Sequence, residues 1–152
     1  MQAGIESTLA LVSAARCGIN FVLHACGILG SYISMSYEKF LADEELCGVV
    51  RKLVKPVAVT DETIDVEMIQ KVGIGGQYLT EPKTFKLCRT EFFLPQLANR
   101  QNCDGWKAAG KPRLDQRAAD ALQARLAKYE KPEIDPAVER ALSDYVSIRK
   151  RA

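Results

Sequence analysis

His24 is the only histidine of the chain, and it lies in the run Asn20-Phe21-Val22-Leu23-His24-Ala25-Cys26-Gly27-Ile28-Leu29-Gly30-Ser31-Tyr32. An imidazole can donate a hydrogen bond whether neutral or charged, exchange a proton, or ligate a metal. Cys17 and Cys26 lie on either side of it, and Cys and His are both zinc-ligand types. Their spacing matches no standard ligand pattern, so no metal site is expected. Two further clusters invite a chemical reading. Asp43-Glu44-Glu45 puts three acids in a row, a pattern that most often marks the solvated face of a helix. Gly73-Ile74-Gly75-Gly76 is glycine-rich but lacks the Gly-Lys-Ser/Thr ending of a phosphate loop. It also follows a helical segment, where a dinucleotide fingerprint needs a strand.

The elements that must position these residues follow from hydrophobic period and punctuation. Residues 2–17 read as a helix, with Ile5, Leu9 and Val12 at helical spacing and Gly18 as its stop. Phe21-Val22-Leu23 reads as a strand buried on both faces, broken at Gly27 and Gly30. Ser34 and Ser36 offer N-cap oxygens for a helix that runs, bent or in two pieces, to Lys55-Pro56. Thr60 caps another helix that ends at Gly73, and Pro82 opens the next, which Pro95 stops. Residues 99–112 look irregular, with Trp106 as an anchor. Two amphipathic helices finish the chain, from about Leu114 to Tyr129 and from Pro136 onward. The strand allows two readings: a core strand with a hydrogen-bonded histidine, or a strand whose C-terminal end faces a ligand, as in α/β proteins.

Composition narrows the function classes. The 152 residues are 47% hydrophobic and 26% charged, within the range of one globular domain with a real core. A net charge of +2 gives no electrostatic case for nucleic acid. No apolar run is long enough to span a bilayer, and Arg16 interrupts the first apolar stretch, so neither a membrane span nor a signal peptide is expected. Five cysteines, an odd number with no C-x-x-C, fit the reduced thiols of a cytoplasmic protein.

Several short patterns occur together in order. They are Gln2-Ala3-Gly4 with Glu6, Gly18-Ile19-Asn20-Phe21 leading to His24 and Gly27, Ser36-x-Glu38-Lys39, Asp43-x-Glu45-Leu46 and Asp61-Glu62-Thr63. Val72-Gly73-x-Gly75-Gly76-x-x-Leu79-Thr80 and Trp106 follow. In order and spacing the chain resembles the C-terminal third of the trimethylamine methyltransferase family, the corrinoid-dependent methyltransferases of methylated amines and betaines. The resemblance implies an α/β fold: the C-terminal part of a (β/α)8 TIM-type barrel, with this chain mostly α-helical and contributing one or two strands. Residues 1–152 would form part of a single barrel domain, with closing helices at about 113–151. It also implies methyl transfer from an amine such as trimethylamine, or from a betaine, to the cobalt of a corrinoid. That corrinoid is carried by a partner protein and not bound directly, and the full-length protein could be a homo-oligomer. In glycine betaine methyltransferases of the family, a histidine in the central run and an aromatic residue eight positions later line the substrate pocket. Those positions are His24 and Tyr32 here, where phenylalanine is the more typical second residue. A quaternary ammonium has no N–H and is held by aromatic faces, while a substrate carboxylate wants a donor such as His24.

Two other classes compete: a non-catalytic helical interaction module, and a metal or redox protein built on the cysteines. A lone buried strand would leave its backbone groups unpaired, so the chain reads as the end of something larger. It would then be a fragment incapable of catalysis by itself, a remnant of a truncated gene, or a frame restarted after an amber codon.

Overall fold

The computed structural model describes residues 1–151, which divide into two compact units, Met1–Leu122 and Gln123–Ala152. The first unit opens with α1 (Gln2–Arg16), where Gly18 at φ 71° follows the Cys17 cap. A hairpin of two very short strands, β1 (Ile28–Leu29) and β2 (Ser34–Met35), then leads into α2 (Tyr37–Val54). α2 is one continuous helix. The Ser36 hydroxyl caps it by accepting the Lys39 N–H at 3.1 Å, and Glu38 sits in its first turn. α1 packs against α2, and their buried apolar side chains are Leu11, Leu41 and Val50.

Thr60 starts α3 (Asp61–Ile64) with a capping box to Thr63. The single helix expected through residue 72 is broken at Asp65, which takes a left-handed φ of 53° and caps α4 (Val66–Val72) with its carboxylate. Asn and Asp reach this conformation more readily than most residues, and the Lys83 ammonium on the Asp65 carboxylate adds to the anchor. Its carboxyl is held below the ordinary range first by that Lys83 bond and then by the Met68 N–H. α5 (Pro82–Thr90) carries its proline in the first turn, and it ends before Pro95 rather than at it. Within the segment expected to be irregular, Asn102 caps a short α6 (Cys103–Ala108) by accepting the Gly105 N–H at 2.8 Å. Trp106 does act as an anchor: its indole N–H donates to the Pro112 carbonyl at 3.1 Å. α7 (Leu114–Leu126) buries Ala118. In the second unit, α8 (Pro136–Arg151) leaves Val138, Leu142, Tyr145 and Ile148 exposed.

The expected strand is corrected. Phe21, Val22 and Leu23 form no strand, and they are 77%, 42% and 64% exposed. A strand buried on both faces needs a ladder on each side. Among the described residues only β1 and β2 pair, antiparallel, with Ile28 opposite Met35 and Leu29 opposite Ser34. The run 20–23 therefore keeps its backbone groups open. What the structure does show is a mostly helical chain with two strands.

The reading of Asp43-Glu44-Glu45 as a solvated face holds for Glu44, which is exposed, and is corrected for its two neighbours. Asp43 is buried, and Glu45 gathers the backbone of another segment. Its carboxylate accepts the N–H groups of Gln96, Leu97 and Ala98 at 2.6, 2.7 and 2.9 Å. One turn further along α2, Gly48 is in contact with the Phe93 ring, and a Cβ there would lie 2.5 Å from Phe93 Cε2. Gly48→Ala is therefore expected to destabilise the first unit by about 1–3 kcal/mol through overpacking. Urea unfolding followed by circular dichroism would read this as a lower midpoint, and an unchanged midpoint would mean that Phe93 is free to move aside.

Candidate functional site

The hairpin that joins α1 to α2 carries the residues of interest. Ile28 and Leu29 pair with Met35 and Ser34, leaving Gly30 to Ile33 as the turn. Ile33 N–H closes it on the Gly30 carbonyl at 3.2 Å. Gly30, Ser31 and Tyr32 take φ of 57°, 52° and 71° in succession, and His24 takes 58°. Glycine does this at no cost, but a bulky aromatic residue does not. Of the five described non-glycine residues with positive φ, three are His24, Ser31 and Tyr32, so backbone strain concentrates here.

That strain brings the two expected residues together. The His24 and Tyr32 rings meet edge to face, with centroids 5.0 Å apart and planes at 74°. This is the geometry that aromatic quadrupoles favour. Tyr32 is 70% exposed, so much of its ring stays open to solvent. Two concavities lie elsewhere, one of about 310 Å³ lined by Ala98, Arg100 and Arg117, the other of about 700 Å³ lined by Leu53, Phe92 and Phe93. Neither includes His24 or Tyr32.

Cys26 does not face Cys17. Burial pushes its thiol up to about 11, with further upward pressure from the adjacent Cys47 thiol and from the Asp43 and Glu44 charges. Cys17 is exposed just past the end of α1, and among the described residues no group of three or more His, Cys, Asp or Glu could hold a metal ion. Between the ordinary thiol value of 9.0 and 11 the fold holds a proton that the unfolded chain releases, so stability falls as pH rises through that window. The raised value keeps Cys26 protonated at pH 8, and iodoacetamide needs the thiolate. Alkylation followed by mass spectrometry should modify exposed Cys17, Cys88 and Cys103 well before Cys26. Early labelling of Cys26 would show that the hairpin opens.

Asp43 was not singled out from the sequence as a site residue. It lies 3% exposed on α2, where its Oδ2 accepts the Gly27 N–H at 2.9 Å and meets the Lys39 ammonium. Lys39 also donates to Ser7 Oγ of α1 at 2.9 Å. The signal was present: positions 39, 43, 46 and 50 fall at helical spacing on one face, so an acid at 43 interrupts a buried stripe.

The chain belongs to the trimethylamine methyltransferase family, whose model, Trimethylamine methyltransferase (MTTB), matches residues 1–152. It is 38% identical to a glycine betaine methyltransferase of Desulfitobacterium hafniense strain Y51, over 97% of this chain and 31% of that protein. A trimethylamine methyltransferase MttB of D. hafniense strain DSM 10664 / DCB-2 is 33% identical over 84% of the chain and 25% of its own length. A proline betaine:corrinoid methyltransferase of Eubacterium limosum is 32% identical over 95% and 30%. The chain therefore spans less than a third of the length of these relatives. Among the described residues, no helix is long and apolar enough to cross a membrane.

Proposed function

We propose that residues 1–152 are the C-terminal portion of a (β/α)8 methyltransferase barrel, with α7 and α8 as closing helices. The complete enzyme moves a methyl group from a methylated amine or betaine to a corrinoid held by a separate protein. The observation that carries this reading is the edge-to-face pair of His24 and Tyr32 on a strained hairpin. The relatives' substrates, trimethylamine and two betaines, share the methylated nitrogen that such a pair suits. The amount of open surface agrees: the chain keeps 12899 Å² accessible, against about 7,700 Å² for a folded protein of this size. Phe21, Leu23 and Ile33 are among the exposed apolar residues that further strands of a barrel would cover.

In this reading Tyr32 lends an aromatic face to the ammonium methyl groups, and His24 donates a hydrogen bond to a substrate carboxylate. The partner's reduced cobalt supplies the electron pair that accepts the methyl group. From a quaternary ammonium the tertiary amine departs with the electrons of the broken N–C bond and needs no proton, so the first role of His24 is to position the substrate and acid catalysis is secondary. In this reading His24 and Tyr32 are substrate-binding residues.

The test uses the methyltransferase carrying this segment in single-turnover methylation of a reduced corrinoid protein. Tyr32→Ala is expected to weaken substrate binding by about 0.5–2 kcal/mol. His24→Ala should slow transfer with the fold intact, and His24→Gln, which keeps a donor, should recover part of it. Wild-type rates in His24→Ala would leave the histidine as a loop residue only.

A further inference from the structure

The geometry points to Asp43 as a positioning residue for the His24–Tyr32 pair. This rests on the reading of that pair as the substrate site, although its test does not need that reading. Gly27 lies three residues after His24 and five before Tyr32, at the junction of the two segments. Both of its main-chain groups are committed: the N–H donates to Asp43 Oδ2 at 2.9 Å, and the carbonyl accepts the Ser36 N–H at 2.9 Å. Its φ is 81°, and a Cβ would come within 3.1 Å of both Phe40 Cβ and the Ser36 carbonyl oxygen. The junction is thus fixed in position and in direction, and the two rings project from either side of it.

Stability alone does not account for an acid at position 43. Burying a carboxylate carries a desolvation penalty that an apolar side chain would avoid. Leucine at 43 would fill the same position on the helix, between Lys39 and Cys47, but it could not accept the Gly27 N–H. Lys39 does not need Asp43 as its sole partner, because it also reaches Ser7. An acceptor at 43 serves both the Lys39 ammonium and the Gly27 N–H, and of these two donors it is Lys39 that has a second acceptor, Ser7.

His24 is the only histidine, so a sample carrying ¹³C-labelled histidine yields a single imidazole spectrum from residues 1–152. The Tyr32 ring current should displace those imidazole proton shifts from their free-histidine values, and Tyr32→Leu should abolish the displacement. Asp43→Ala is expected to abolish it as well. Asp43→Asn, which keeps an oxygen for Gly27, should retain both the displacement and slow exchange of the Gly27 amide. Val50→Ala, a cavity in the same helix, is expected to lower the melting temperature while leaving the displacement in place. A folded Asp43→Ala with the wild-type imidazole spectrum overturns the proposal, as does a wild-type spectrum at the free-histidine position. If Asp43→Ala does not fold, Asp43→Asn decides. Displacement that follows Gly27 amide protection supports the proposal, and displacement independent of it refutes it. Adding glycine betaine or tetramethylammonium to the wild type separates the two readings. A displacement that either probe perturbs supports the substrate site, while the positioning role is read from the Asp43 variants alone.

Discussion

The first unit depends on one buried carboxylate. Asp43 is 3% exposed, and a charge so placed is tolerated only with close partners. Lys39 supplies the opposite charge from one turn earlier on α2, and Gly27 supplies a backbone N–H from the hairpin. Lys39 then carries the connection to Ser7 on α1. Three elements that are separate in sequence therefore meet at a single polar cluster. The apolar contribution is small, since the buried hydrophobic residues described are Leu11, Leu41, Val50 and Ala118. With so little apolar burial to fix them, the hairpin and α1 take their placement from directional bonds.

α2 uses the same device twice. Asp43 and Glu45 are two residues apart, roughly 200° around a helix axis, so they project to opposite sides. Asp43 takes the amide of the hairpin junction, and Glu45 takes three successive amides of residues 96–98. Arg117 of α7 donates to the Gln96 carbonyl of that same segment. Irregular backbone carries N–H groups with no ladder or helix partner, and an acid reaching from a rigid helix is an efficient acceptor for them. The rigid helix thus shapes the loops on either side of it. One of those loops holds left-handed residues that cost about 1–3 kcal/mol each. Joining α1 to α2 does not by itself require tyrosine at φ 71°.

What the sequence revealed was whatever local chemistry determines. Ser36 and Thr60 act as caps, Gly18 and Gly73 end helices, and Pro82 opens one, because each effect acts within a turn or two. The strand expected at Phe21–Leu23 is not formed, for the opposite reason. Its hydrophobicity is local, but a ladder needs partners from elsewhere, and the described residues provide none. The Asp65 break and the Asn102 cap depend on side chains that also occur in ordinary loops, so their signal is weak. At the candidate site, His24 and Tyr32 emerged through resemblance, and their contact could not be read from spacing because it requires five residues at positive φ, His24, Gly27, Gly30, Ser31 and Tyr32. Asp43 was obscured by its acidic neighbours, although its helical register with Leu46 and Val50 marked the buried face.

The chemical character of the pair bears on which substrate the proposed site would favour. Trimethylammonium-type groups present methyl hydrogens and diffuse positive charge, and an aromatic face alone can hold them. A betaine adds a carboxylate at the other end, which gains from a donor and loses if buried without one. His24 and Tyr32 offer a ring and a donor side by side, a bifunctional arrangement matched to a zwitterion more closely than to a simple amine. Tyrosine at 32 reinforces this, because its hydroxyl is a second donor that phenylalanine would lack. A simple methylated amine would use the ring and leave both donors to water, and that is inexpensive while the pair is as open as Tyr32 is here but costly once the rest of a barrel encloses it. In the proposed reading, enclosure would turn the same two side chains from a tolerant surface into a selective one, and the enclosing walls would set specificity together with His24 and Tyr32.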